Sequence, residues 1–333
     1  MEQRSFIIKV IIGSILIGIA VAANYCQLCR NHVACRPKRG FGRACGSRRV
    51  IVPMDASQQK LILQIHNGMR SIIASGLLRG FQPAKRMGYI QWDNELAKLS
   101  LLNAKQCRFH YDKCRKTVRF PYSGQNVGID RETYKYRAVN QSIYRITLKW
   151  FSQFELADAA AMNSFRVPAD PKKRFHNFAA IVHDRQTHVG CAAVKFRKKR
   201  FYYFYLVCNY AMRVLPRRQI YETGVPYTGC VAGRSIDYPS VCAKNEPIFA
   251  IPYAEPFAVS PVRGQARGRG RKRNQVRASN RARKQNHSRN GWTNRRNTVN
   301  NNNNNIRNNR RTVKRRTQIQ QTPNPFSFGF FSG

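Results

Sequence analysis

Residues 187–210 read THVGCAAVKFRKKRFYYFYLVCNY. Two runs in it, Val189–Phe196 and Phe201–Tyr210, are rich in aromatic and β-branched residues and flank the polar loop Arg197-Lys198-Lys199-Arg200. That pattern predicts a β-hairpin. Cys191 and Cys208 fall on its two strands, where a bridge is easy to form if the register sets them opposite. Upstream, Asp55-Ala56-Ser57-Gln58 opens a helix in capping-box style, after which Leu61, Ile65, Met69 and Ile72 repeat on one face. Asp93-Asn94 opens a second helix, LAKLSLLNAKQC, and a third is expected over Ser142–Ala160, carrying Trp150 and Phe151. Helices and strands mixed without a regular βαβ alternation indicate a layered α+β domain, running from residue 50 to residue 215.

On either side the composition changes. Residues 1–23, MEQRSFIIKVIIGSILIGIAVAA, place Arg4 and Lys9 before an apolar run that ends in small residues. This is the anatomy of a signal peptide cleaved before Asn24. The competing reading, an N-terminal anchor, fits less well because small residues lead straight into a cysteine-rich segment. Export makes the ten cysteines meaningful, since oxidising compartments let disulfides persist. They imply five bridges, each contributing ~2–4 kcal/mol. A zinc site at Cys26-x-x-Cys29 is a weak alternative, because no second matching pair flanks it. Cys26, Cys29, Cys35 and Cys45 crowd into residues 24–49, a segment too irregular to form a core. Residues 216–256 form a Pro/Tyr-rich extension in which Cys230 and Cys242 could close a small loop. Residues 257–333 are rich in Arg and Asn. Between Arg263 and Arg316 stand nineteen Lys or Arg and no acid, a composition expected to stay disordered.

The net charge is +45, and outside that tail the chain still carries 41 basic side chains against 15 acids. Such a field draws polyanions and weakens with salt. The sequons at Asn140 and Asn286 are candidate glycosylation sites on a secreted chain. No Walker, Gly-x-Ser-x-Gly or HExxH pattern occurs. Ser123 and His110 are near neighbours in sequence, but nothing in the residues supplies the orienting partner a serine hydrolase requires. His66 is read as a packed or hydrogen-bonded side chain.

Several short stretches, in this order, resemble the CAP superfamily in its insect antigen 5 or venom-allergen-like branch. They are Asn24-Tyr25-Cys26, His66-Asn67-Gly68-Met69-Arg70, Trp92-Asp93-Asn94-Glu95-Leu96-Ala97, Ser123-Gly124-Gln125-Asn126-Val127-Gly128, Thr187-His188-Val189-Gly190-Cys191 and Tyr205-Leu206-Val207-Cys208-Asn209-Tyr210. The resemblance covers residues 24 to about 215 and implies an α-β-α sandwich. It also implies the pairs Cys26–Cys35, Cys29–Cys114, Cys45–Cys107 and Cys191–Cys208, leaving Cys230–Cys242 as the remaining bridge.

Many members of that family hold a divalent metal between two histidines and two glutamates. Carried onto this chain, those positions are His110, Gln125, Gln153 and Asn177, so three of the four are carboxamides. Carboxamides bring no negative charge and bind transition metals poorly. His183 stands where the family motif has Trp. His176, one residue from Asn177, would point to the opposite face if the segment were a strand. The expectation is a degenerate cleft with no metal, no cofactor and no catalytic residue. The protein is then a secreted, extracellular, non-enzymatic binding protein whose basic tail associates with extracellular polyanions or cell-surface components. An unidentified protein receptor, and nucleic acid in vitro only, complete the expected partners; stable membrane insertion is not expected. The alternatives are residual metal-dependent or hydrolytic cleft activity, or carriage of a small lipid or sterol.

Overall fold

The computed structural model describes residues 24–253. Residues 1–23, expected to be a signal peptide, Asn286 and the whole basic tail, 257–333, lie outside the described residues.

A sheet in the order β1–β4–β5–β3 forms the middle layer. Its strands are β1 (Ser47–Val52), β3 (Gly124–Glu132), β4 (His188–Lys198) and β5 (Phe201–Tyr210). These pair antiparallel, and the short β2 (Gln91–Trp92) adds a parallel pairing to the start of β4. The hairpin predicted from residues 187–210 is β4–β5. Its strands run longer than expected, and the turn tightens to Lys199-Arg200, with Lys199 at φ +54°. The register sets Cys191 opposite Cys208, and the two are joined. The other bridges are Cys26–Cys35, Cys29–Cys114, Cys45–Cys107 and Cys230–Cys242, and no cysteine in the described residues is free. Cys26 and Cys29 thus both lie in disulfides, which removes the thiolates a zinc site needs. A single helical turn, α1 (Tyr25–Leu28), carries Cys26, and Cys29 follows it as the C-cap.

Helix α3 (Asn94–Ala104) packs on one face of the sheet. The other face carries α2 (Ala56–Ala74), α4 (Val139–Phe151) and α6 (His176–Val182), and α5 (Ala159–Asn163) follows α4 in the chain. The result is an α-β-α sandwich. Strand alternation explains the layers. Val194, Phe196, Tyr205 and Val207 join Ala104 and Cys107 in one buried cluster. On the same sheet Gly128 faces α4 so closely that a Cβ there would lie 2.3 Å from Ile146 Cγ2. Gly190 gives α3 the same close approach, since a Cβ there would lie 2.2 Å from the Ala97 nitrogen.

Three sequence expectations need correction. The buried stripe of α2 is Ile62, His66, Met69, Arg70 and Ile73, one residue out of phase with the Leu61–Ile65–Met69–Ile72 reading. Hydrophobicity alone overlooks it because His66, Asn67 and Arg70 are buried polar groups that find partners. The third helix ends at Phe151; a 3₁₀ turn at Ser152–Leu156 and the short α5 replace its second half. Asp158 caps α5 by accepting from the Ala161 N–H at 2.7 Å, so an acid mid-pattern starts a new helix. The segment holding His176 and Asn177 is helix α6, not a strand.

Strand β1 crosses residue 50, tying the cysteine-rich segment to the sheet. The extension after residue 215 is anchored as well. Arg86 pairs with Glu246 at 2.6 Å, and the Cys242 N–H donates to Met87 O at 2.8 Å. Among the described residues no helix is long and apolar enough to cross a membrane.

Candidate functional site: an amide-lined cleft

The four positions that the resemblance nominates occupy different local structures. Gln125 lies at the start of β3, Gln153 in the 3₁₀ turn after α4, Asn177 in the first turn of α6, and His110 in the loop that follows Cys107. His110 is exposed, while Gln125 and Asn177 are buried. Each amide is already engaged. Gln125 Oε1 accepts from the Asp112 N–H at 2.8 Å. Its Nε2 donates to Asp112 Oδ2 at 2.7 Å and to Asn209 Oδ1 at 2.8 Å. Gln153 Oε1 accepts from the backbone N–H of Asn177 at 3.0 Å and of Phe178 at 3.4 Å, so it serves the open N-terminus of α6. Asn177 Oδ1 accepts from the Tyr111 hydroxyl at 3.1 Å. Tyr111 also reaches His176 Nε2, so on a helix both neighbours converge on one phenol.

Asp112 is the group that the sequence reading missed. Its carboxylate is surrounded by donors. Asn103 Nδ2 donates to its Oδ1 at 2.7 Å, Gln125 holds Oδ2, and Arg115 Nε lies 3.9 Å away. Burial raises its pKa, and those hydrogen bonds and the arginine oppose the rise. Asn103 in turn accepts from Tyr205 at 2.7 Å, and Asn209 donates to Leu96 O at 3.2 Å, so the network ends on α3. A signal existed: Asp112 is the one acid in the basic stretch between Cys107 and Phe120.

Beneath the cleft runs a second chain of hydrogen bonds. Asn126 Nδ2 donates to the Tyr210 hydroxyl at 3.2 Å, which lies 2.9 Å from His66 Nε2, while His66 Nδ1 lies 2.8 Å from Ile62 O. This order is satisfied by a neutral imidazole protonated at Nδ1. Burial pulls the His66 pKa down to about 4, which keeps it neutral. His66 is therefore a packed structural residue. Burial, aided by Arg174, also lowers His176, and burial pushes the Tyr111 phenol up to about 12.

The residues do not fit a divalent metal. Of the four positions only His110 is an imidazole; the other three offer uncharged amide oxygens that already accept from N–H or O–H donors. Ser123 is no better placed for hydrolysis, since its buried hydroxyl donates to Arg115 O at 2.7 Å. His183, where the family motif has Trp, is buried with Nδ1 3.4 Å from Asp184 Oδ1 and stacks on Tyr253 at 6.5 Å. Asn140, the sequon within the described residues, is exposed in the first turn of α4.

The family described as cysteine-rich secretory proteins, CAP, matches residues 63–210. Venom allergen-1 of Aedes aegypti is 36% identical over 247 residues, which span 73% of this chain and 95% of that protein. Antigen 5 like allergen Cul n 1 of Culicoides nubeculosus is 32% identical over 201 residues, 56% of this chain and 90% of the other. Among solved structures, NaASP2 with Zn2+ aligns at a TM-score of 0.45 and 18% identity, covering 62% of this chain and 99% of its own. Sequence likeness of that extent across nearly the whole length of an insect relative, joined to the α-β-α sandwich and its disulfides, means that the chain belongs to the cysteine-rich secretory protein (CAP) family, among the venom allergen and antigen 5 proteins.

Proposed function

We propose that this is a secreted, non-enzymatic binding protein of the antigen 5-like type, and that it acts by associating with extracellular polyanions or cell surfaces through its basic tail. The observation that carries this reading is the charge: 60 Lys and Arg against 15 Asp and Glu, with a surplus both in residues 257–333 and before them. Such a surplus concentrates polyanions by long-range attraction and by counterion release. The disulfides support an oxidising, extracellular setting. The non-enzymatic reading is supported by the cleft, where the amides spend their hydrogen-bonding groups on one another and on the backbone.

The test is elution from immobilised heparin in a salt gradient, with and without residues 257–333. The full chain is expected to elute at clearly higher salt than the truncated one. Equal elution would refute the role given to the tail.

A further inference from the structure

We infer that the end of the β4–β5 hairpin, with the adjoining bulge of β1, is a second binding site for a sulfated polysaccharide, built into the folded domain. This rests on the reading of the protein as a polyanion binder and locates part of that binding outside the tail. Arg197, Lys198, Lys199 and Arg200 surround the turn. Arg48 joins them from β1, where the register shifts opposite Arg197, and Arg131 from β3, opposite Tyr203. Among the described residues none of these six takes part in an ion pair. The nearby acids are used elsewhere: Asp130 and Glu132 both pair with Arg137.

One feature of the backbone marks this cluster. Lys199 and Arg48 adopt φ of +54° and +50°, in the left-handed region that favours glycine or asparagine. A two-residue hairpin turn ordinarily takes such residues. A basic side chain stands at both strained positions, and strain kept in this way points to a role for the side chain.

The surroundings select the class of anion. Guanidinium groups already cover the rings of the patch: Arg131 and Arg200 lie 4.4 and 5.1 Å from the centre of Phe201, and Arg197 lies 5.4 Å from that of Tyr202. Single-stranded nucleic acid needs open aromatic faces for base stacking, which these are not. The turn Lys199-Arg200 also presents no apolar side chain to insert into a lipid surface. A linear chain of sulfate esters needs neither; it needs closely spaced guanidinium and ammonium donors.

The experiment is lysine acetylation of the secreted full-length protein with and without heparin, read residue by residue by mass spectrometry. At heparin about ten times its Kd, labelling of Lys198 and Lys199 should fall roughly tenfold. Exposed Lys60 on α2 and Lys149 on α4 should label unchanged. Unchanged labelling at Lys198 and Lys199 overturns the inference, whatever the tail does. The tail reading has its own reporters in Lys272, Lys284 and Lys314, so the two ideas fail separately. Equal protection of Lys198 and Lys199 by single-stranded RNA, or by anionic phosphatidylserine vesicles, at matched charge would overturn the assignment to a sulfated glycan.

Discussion

Replacing Arg70 by Met should cost the domain several kcal/mol, and the reason can be counted out. Arg70 leaves α2 into the interior with no solvent exposure, and its guanidinium donates only to backbone carbonyls. Nε and Nη2 reach Gly88 O at 2.9 and 2.6 Å, and Nη1 reaches Ile181 O and His183 O, both at 2.7 Å. Nη2 also reaches Asp184 O and Gln186 O at 3.3 Å. His183 O and Asp184 O have a further donor each, from the Gln186 and Gly88 N–H groups. For Gly88 O, Ile181 O and Gln186 O, Arg70 is the donor among the described residues. Methionine fills much of the volume but strands those three acceptors. At ~1–3 kcal/mol for each buried group left unpaired, the loss is about 3–9 kcal/mol. Relief from burying a charge, which depresses the Arg70 pKa and which Asp184 offsets, moves the net toward the lower end. Arg70→Lys, with three donors at one point, should fall between Met and the parent. Guanidinium denaturation followed by far-UV circular dichroism, disulfides intact, gives the shift in midpoint. An Arg70→Met protein within ~0.5 kcal/mol of the parent would refute the claim that this arginine holds residues 181–186 onto α2.

Three further outcomes follow from the same geometry. His66 is neutral when folded, with a pKa near 4 against 6.5 unfolded, so the folded form binds fewer protons between those values. The stability this represents is complete above pH 6.5 and is lost as pH falls toward 4, by about 3 kcal/mol. A denaturation series over that range should be flatter in His66→Gln, and an equally steep loss would contradict it. Gln125→Glu places a second carboxylate against Asp112 Oδ2, where the amide now donates at 2.7 Å. Like charges in a buried site raise both pKa values, and even a protonated Glu can replace only one of the two N–H donors, so the variant should fall further behind the parent at pH 7 than near pH 4, by about 1–3 kcal/mol. A deficit independent of pH would show that charge is not the cause. Calorimetric titration with zinc should give no micromolar site; such a site abolished by His110→Ala would overturn the description of the cleft.

How much of this was legible in the residues depended on whether a pattern was carried by hydrophobicity. The hairpin was, because aromatic and β-branched residues alternate around a basic turn, and its register then decides the Cys191–Cys208 bridge. The caps at Asp55 and Asp93 were legible for a similar local reason: each side chain accepts from the N–H groups of its own first turn. The face of α2 was misread because its inward positions include Arg70, His66 and Asn67, whose partners outside the helix are 18 or more residues away in sequence. Likewise α6 is held by the Gln153 cap and by Tyr111, neither of them local. At the candidate site, the carboxamides of Gln125 and Gln153 stand in the sequence itself. The partners that consume those amides do not, since Asp112 and Asn209 meet Gln125 only once the loop, β3 and β5 are assembled. The extension after residue 215 hid its anchoring for the same reason: Glu246 accepts from Arg86, Val231 and Ala232, which outweighs its burial and lowers its pKa.

The most direct measurement is the affinity of the protein, with its tail, for heparin as a function of salt. A protein that works through its positive field should show log K falling linearly against log salt, with a slope on the order of −5 or steeper. Binding absent at low ionic strength, or an affinity that salt leaves unchanged, would contradict the account.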